Sequence, residues 1–227
     1  MFAGVERGRL PAKAAHGIEL RWVADFAGQR GVASGEATLD AVLAANLDSV
    51  IGFNVGGIEV DRAPFAELFD RARAAGLHSV PHAGETHGPD RMWSAIRRLG
   101  AERIGHGIRC LADPALVEHL AATQLPLDVC PTSNLCTRAV SSLAEHPLPR
   151  MLEAGLMVTL NSDDPPMFDT DLTNEYLVAA RMGLSATTLI QLARNGVHAS
   201  FASESTKAAI LSGIDRVAEH FAGFDAG

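Results

Sequence analysis

HSVPHAGETHGPDRMWSAIRRLGAERIGHG, residues 78–107, decides how this 227-residue sequence is read. Two short apolar runs in it each end in polar, chemically able residues. LHSVP runs into His82-Ala83-Gly84-Glu85, and ERIG runs into His106-Gly107. Between them, DRMWSAIRRLG has the spacing of an amphipathic helix, with Met92, Trp93, Ile96 and Leu99 as the apolar stripe and the arginines facing away. Strand, helix, strand is a βαβ unit, and such units set their strands side by side with the chemistry at the carboxyl ends. An imidazole at His82 can bind a metal, and the carboxyl group of Glu85, just beyond it, can shuttle a proton. Gly84 lets the backbone turn sharply between the two, and the glycines flanking His106 give it similar freedom. A loop of hydrogen-bonding histidines explains HAGE alone about as well as a site does. It explains HAGE paired with a second strand ending in GHG much less well.

Outward from this stretch the same alternation continues. On the N-terminal side, IELRWVADF (18–26) and SVIGFNV (49–55) read as strands. Residues up to Gly17 carry no signal, and the glycine-rich GQRGVASGEA reads as a loop. Helical spacing marks ATLDAVLAANLDS and APFAELFDRARAAGL. The second strand runs into Gly56-Gly57-Ile58-Glu59, where a bare backbone amide can touch a ligand or simply make a tight turn. On the C-terminal side come a helix DPALVEHLAAT capped by Asp113, and a strand in LPLDVC leading into a Pro131-Thr132-Ser133-Asn134 loop. A helix HPLPRMLEAG and a strand LMVTL (156–160) follow, and that strand runs into Asn161-Ser162-Asp163-Asp164. One of these two aspartates can bind a metal while the other contacts substrate; helix capping or an Asx turn accounts for one Asp more readily than for two. Everything after Leu160 reads as helix, and His198 and His220 there read as surface or packing residues.

Composition narrows the class. Hydrophobic residues make up 47% and charged residues 20% of the chain, as in a globular protein with a large core. A formal net charge of -8 and the lack of a basic stripe argue against a nucleic-acid partner. Cys110, Cys130 and Cys136 form no C-x-x-C pair, which predicts a reducing, cytoplasmic setting. No apolar run is long enough to span a bilayer, and no signal-peptide core precedes the first strand. Strands recurring every 25 to 30 residues with helices between them predict a parallel α/β fold. Functional residues stand at the ends of at least three strands and no G-x-G-x-x-G is present, so a β/α barrel fits better than a doubly wound sheet.

Taken together, HAGE (82–85), GHG (105–107), CPTSN (130–134), NSDDP (161–165) and the Gly56-Gly57…Glu59 turn resemble the adenosine deaminase family of the amidohydrolase superfamily, in order and spacing, from about Gly17 onward. The resemblance implies a (β/α)8 TIM-barrel fold and a hydrolase that removes the 6-amino group of a purine, adenosine to inosine and ammonia first among the choices. It implies one Zn2+ per subunit, with His82 and Asp163 as metal ligands. Glu85 would protonate the purine ring nitrogen beside the reacting carbon, and His106 would hold and deprotonate the attacking water. Asp164 would accept a hydrogen bond from the base, and Gly57 would offer its backbone N–H to the purine. The partner implied is a small-molecule purine nucleoside, with neither nucleic acid nor membrane; oligomeric state is left open.

One departure sets the remaining expectations. The family begins with a strand ending in His-x-His, which supplies two further zinc ligands, and this sequence contains no H-x-H. Its six strands would correspond to barrel strands three to eight. The expectation is therefore a single catalytic domain over 1–227, N-terminally truncated: an incomplete barrel of about six β/α units plus C-terminal helices. Neither His16 nor His78 is placed to replace the lost ligands. The alternatives are a deaminase of another 6-aminopurine, adenine or aminodeoxyfutalosine, and a catalytically inactive remnant. Adenine deaminases of the family tend to carry Asp-His-Gly where this chain has Gly105-His106-Gly107, which favours a nucleoside.

Overall fold

A computed structural model describes residues 2–222. The chain divides into two compact units, one of residues 1–82 and 93–102, the other of residues 83–92 and 103–227.

The first unit opens with helix α1 (Phe2–His16), followed by β1 (Trp22–Ala27), α2 (Val32–Ala45), β2 (Val50–Gly56), α3 (Ala66–Ala74) and β3 (His78–Ser79). The strands form a parallel sheet in the order β1-β2-β3. Its core is aromatic: Phe26 stacks on Phe53 with ring centroids 5.5 Å apart, meets Phe65 edge-on at 5.3 Å, and Phe53 meets Phe69 at 5.3 Å. Leu39, Val42, Leu68 and Leu99 close around these rings. Such offset and edge contacts add to the stabilisation from area burial alone.

The boundary falls within β4 (His82–Ala83), and from Ala83 the second unit holds β5 (Ile104–His106), α5 (Pro114–Thr123), β6 (Leu127–Val129), α6 (Pro131–Cys136), α7 (Leu148–Glu153), β7 (Val158–Leu160) and the helices α8 (Pro165–Phe168), α9 (Leu172–Arg181), α10 (Ala186–Ala199) and α11 (Glu204–Ala222). The sheet order is β4-β5-β6-β7, with β5, β6 and β7 parallel. Ile104, Leu127, Val129 and Val158 are fully buried, which is the mark of a parallel sheet covered on both faces. Asn195 of α10 donates to the Val158 carbonyl at 2.9 Å, which ties that helix to β7.

Several expectations need correction. The strand expected at 78–82 is two pieces, β3 and β4, in different sheets; Pro81 between them has no N–H to give a ladder. The first strand starts at Trp22, not Ile18, and residues 2–16, which carried no signal, are helical. The expected loop at 28–37 is helix from Val32 onward. Gly35 sits inside that helix because a Cβ there would lie 2.4 Å from Leu68 Cδ2 and 2.8 Å from the Phe26 ring. The helix between HAGE and GHG, α4 (Pro89–Leu99), buries Met92, Ala95 and Leu99; Trp93 and Ile96 are only half-buried, and Arg97 covers the indole face at 4.0 Å. CPTSN is helical rather than a loop, with Pro131 at the first position of α6. Asp113 caps α5 as expected, accepting from Ala115 N at 2.9 Å. His198 and His220 are exposed.

Candidate active site

In the second unit, Glu85, His106 and Asp163 come together from three separate strand ends. His106 Nε2 lies 3.7 Å from Glu85 Oε2 and 3.9 Å from Asp163 Oδ2. These gaps are too long for direct hydrogen bonds and short enough for one shared oxygen to bridge. His106 and Asp163 both occupy the left-handed backbone region, at φ 64° and 57°. Non-glycine residues held there cost about 1–3 kcal/mol each and cluster at functional sites. Two glycines give the turns their room: a Cβ on Gly84 would lie 2.5 Å from Met92 Sδ, and one on Gly107 would lie 2.8 Å from Leu127 Cδ2.

Each group of this cluster is held by its neighbours. Thr137 Oγ1 donates to Glu85 Oε1 at 3.0 Å, and Ser133 Oγ donates to Asp163 Oδ2 at 2.6 Å. Arg109 donates to the backbone carbonyls of Glu85 and Ala139, at 3.3 Å and 2.6 Å. Fully buried Glu175 accepts from Thr132 N at 3.1 Å and from Thr170 Oγ1 at 2.5 Å, and so pins the start of α6. Asn134, buried on α6, faces the His106 ring. Asp164 is exposed, and its Oδ1 accepts from Met167 N at 3.3 Å, so it caps α8.

The first unit holds the other two candidates. His82 receives two anchors. Its backbone N–H donates to Asn54 Oδ1 at 3.1 Å, and its ring Nδ1 lies 3.0 Å from the same oxygen. An oxygen facing Nδ1 puts a proton on that nitrogen and directs Nε2 away from Asn54, and the Asp25 carboxylate interacts electrostatically with the same ring. The His82 carbonyl accepts from Nε of the fully buried Arg62 at 2.9 Å. Gly57 has φ 70°, and a Cβ on it would lie 2.5 Å from Gln29 Oε1, the atom that accepts from Ile58 N at 3.1 Å. Only glycine fits that turn.

Metal-donor chemistry can be weighed residue by residue. His106, Cys130 and Asp163 each present a donor atom, all within 4.8 Å of one another. Burial, reinforced by the nearby Asp163 carboxylate, pushes the Cys130 thiol well above its usual range, so it is held protonated. Within this group a carboxylate oxygen of Asp163 and an imidazole nitrogen of His106 are donor types that suit a metal.

Sequence reasoning missed Asn54, Arg62, Thr137, His146 and Glu175. None stands in a motif word beside a candidate ligand, and each acts through a neighbour distant in sequence. Asn54, an uncharged residue inside a buried apolar strand, was the one visible signal.

The adenosine deaminase family profile matches residues 1–217. The aminodeoxyfutalosine deaminase of Streptomyces coelicolor is 51% identical over 216 residues, 93% of this chain, and this chain spans 56% of that relative's length. Among solved structures, an adenine deaminase from Arthrobacter aurescens superposes with a TM-score of 0.92 at 35% identity, over 95% of this chain and 67% of that one. An amidohydrolase from Burkhoderia ambifaria, solved with bound zinc, gives 0.88 at 25% identity, over 97% of this chain and 64% of that one. The parallel β/α units and the superposition on these structures put the chain in the (β/α)8 barrel class, as an incomplete barrel. Within that class, the chain belongs to the adenosine deaminase family.

Proposed function

We propose that this protein takes part in hydrolytic deamination of a 6-aminopurine nucleoside: water adds at the amino-bearing ring carbon, the amino group leaves as ammonia and an oxo group remains. The observation that carries the reading is the meeting of Glu85, His106 and Asp163 around one small space, in a chain of this family. Glu85, steadied by Thr137, delivers a proton to the ring nitrogen beside the reacting carbon, which makes that carbon electrophilic. His106 Nε2 contacts the attacking water. Asp163 and His82 are the proposed metal ligands; a zinc ion held there would supply Lewis acidity and lower the pKa of water toward neutrality. Gly57 as a backbone donor to the purine and Asp164 as an acceptor from it rest on the motif words alone.

Adenosine is the first substrate to test. Aminodeoxyfutalosine is the second, favoured by the 51% identity to a deaminase of that nucleoside. Ammonia release by the purified chain with zinc, measured on adenosine, aminodeoxyfutalosine and adenine in parallel, checks the reading. Release from a nucleoside supports it and identifies which one. No release from any of the three by a folded, metal-loaded sample would remove it.

A further inference from the structure

Asn134 joins two buried histidines, and the directions of its hydrogen bonds can be worked out from one end of the row. The backbone N–H of Leu148 donates to His146 Nδ1 at 3.1 Å, and a backbone amide can only donate. His146 Nδ1 therefore holds a lone pair. His146 is 3% exposed, and burial pushes its pKa down to about 4, so the ring is neutral with its proton on Nε2. That nitrogen lies 3.2 Å from Asn134 Oδ1, which accepts from it. With its oxygen engaged there, the Asn134 amide turns Nδ2 toward His106 Nδ1, 3.1 Å away. Nδ2 carries only hydrogens to give, so His106 Nδ1 accepts, and the neutral His106 ring holds its proton on Nε2. Nε2 is the atom that faces Glu85 and Asp163. Asn134 is fully buried and His106 is 2% exposed, so a reversed amide would leave facing donors, or facing acceptors, with little access to water.

We propose that Asn134 and His146 are positioning residues that lock His106 as an Nε2–H donor toward the reacting atoms. His82 has the opposite partner in the same chain: there an asparagine oxygen faces Nδ1 and accepts from it. The consequence for chemistry rests on the deaminase reading. His106 steadies the attacking oxygen by giving it a hydrogen bond, and removal of the water's proton falls to a carboxylate rather than to His106.

Histidine-ring nitrogens identify the tautomer directly. Long-range 1H–15N correlation spectra of the full chain, labelled with 15N-histidine and free of metal and substrate at neutral pH, are expected to show Nδ1 of His106 unprotonated and Nε2 protonated. Loss of signals in His106→Gln assigns the ring. A wild-type spectrum with the His106 proton on Nδ1 overturns the proposal. Asn134→Asp keeps an acceptor for His146 but turns an oxygen to His106 Nδ1, and is expected to place a proton on Nδ1; Nδ1 still bare in the folded variant overturns it. His146→Gln, which retains a donor, is expected to keep the wild-type His106 pattern, whereas His146→Leu is expected to lose it; an unchanged pattern in His146→Leu removes His146 from the row. In turnover, Asn134→Asp is expected to lower kcat about 10²-fold with KM little changed, and an unchanged kcat overturns the positioning role. The spectra need neither metal nor substrate, so a failure of the deaminase reading leaves the tautomer result standing.

Discussion

At the scale of single residues, the site depends on neutral partners that fix charged and titratable ones. Thr137 donates to Glu85 Oε1 and leaves Oε2 facing His106, whereas Ser133 donates to Asp163 Oδ2, the same oxygen that faces His106, and so orients it. Glu85→Gln keeps the shape and removes the transferable proton. It is expected to leave metal content unchanged and to lower kcat about 10²- to 10⁴-fold; ammonia release beside elemental analysis checks both. Asp163→Asn removes the anionic donor and is expected to lose bound metal at equal protein recovery, read by elemental analysis after dialysis against a fixed zinc concentration. HAGE, GHG and NSDDP single out Glu85, His106 and Asp163 from the sequence alone. Each word couples a reactive side chain to the glycine or turn it needs, and so the pattern is local. Asn134 is different. Within CPTSN it reads as an ordinary polar residue, and its place between His106 and His146 follows from the packing of α6.

At the scale of elements, close approach rather than propensity sets several boundaries. Helix α2 runs through Ser34-Gly35-Glu36, which reads as a loop by composition, because its glycine lets the helix pack against Leu68 and Phe26. Gly35→Val would drive a branched side chain into the stacked Phe26 ring. It is expected to destabilise the chain by about 2–3 kcal/mol despite the better helix propensity of Val, measured as a fall in the urea midpoint at constant slope. The break at Pro81 has the same character. Val80 N still bonds the Phe53 carbonyl at 3.0 Å, Pro81 has no N–H, and His82 N turns to a side chain, Asn54 Oδ1. A single apolar run was legible there, but its division between two sheets depends on which carbonyls lie alongside it.

At the scale of the whole molecule, a buried neutral histidine makes stability depend on pH. The pKa of His146 falls from its ordinary 6.5 to about 4 through burial. In the unfolded chain the ring takes up a proton below about 6.5, and in the folded chain only near 4. The unfolded state therefore binds more protons between those values, and stability falls as pH drops through that window. From pH 7 to pH 5 the loss through this residue is about 2 kcal/mol. Urea unfolding at both pH values is expected to show it in the wild type and to show a smaller loss in His146→Gln. Among the described residues no helix is long and apolar enough to cross a membrane. The sequence by itself determined the parallel α/β class, the order of its main strands and helices, and three residues of the cluster. Those rest on periodicity, caps and short motifs, which act over a few neighbouring residues. Only the tertiary structure decided the sheet to which each half of residues 78–83 belongs, and which asparagine atom faces which histidine. Such choices are made by donors and acceptors tens of residues apart, Asn54 to His82 and Asn134 to His106, brought together in a buried setting where an unmatched polar atom is costly.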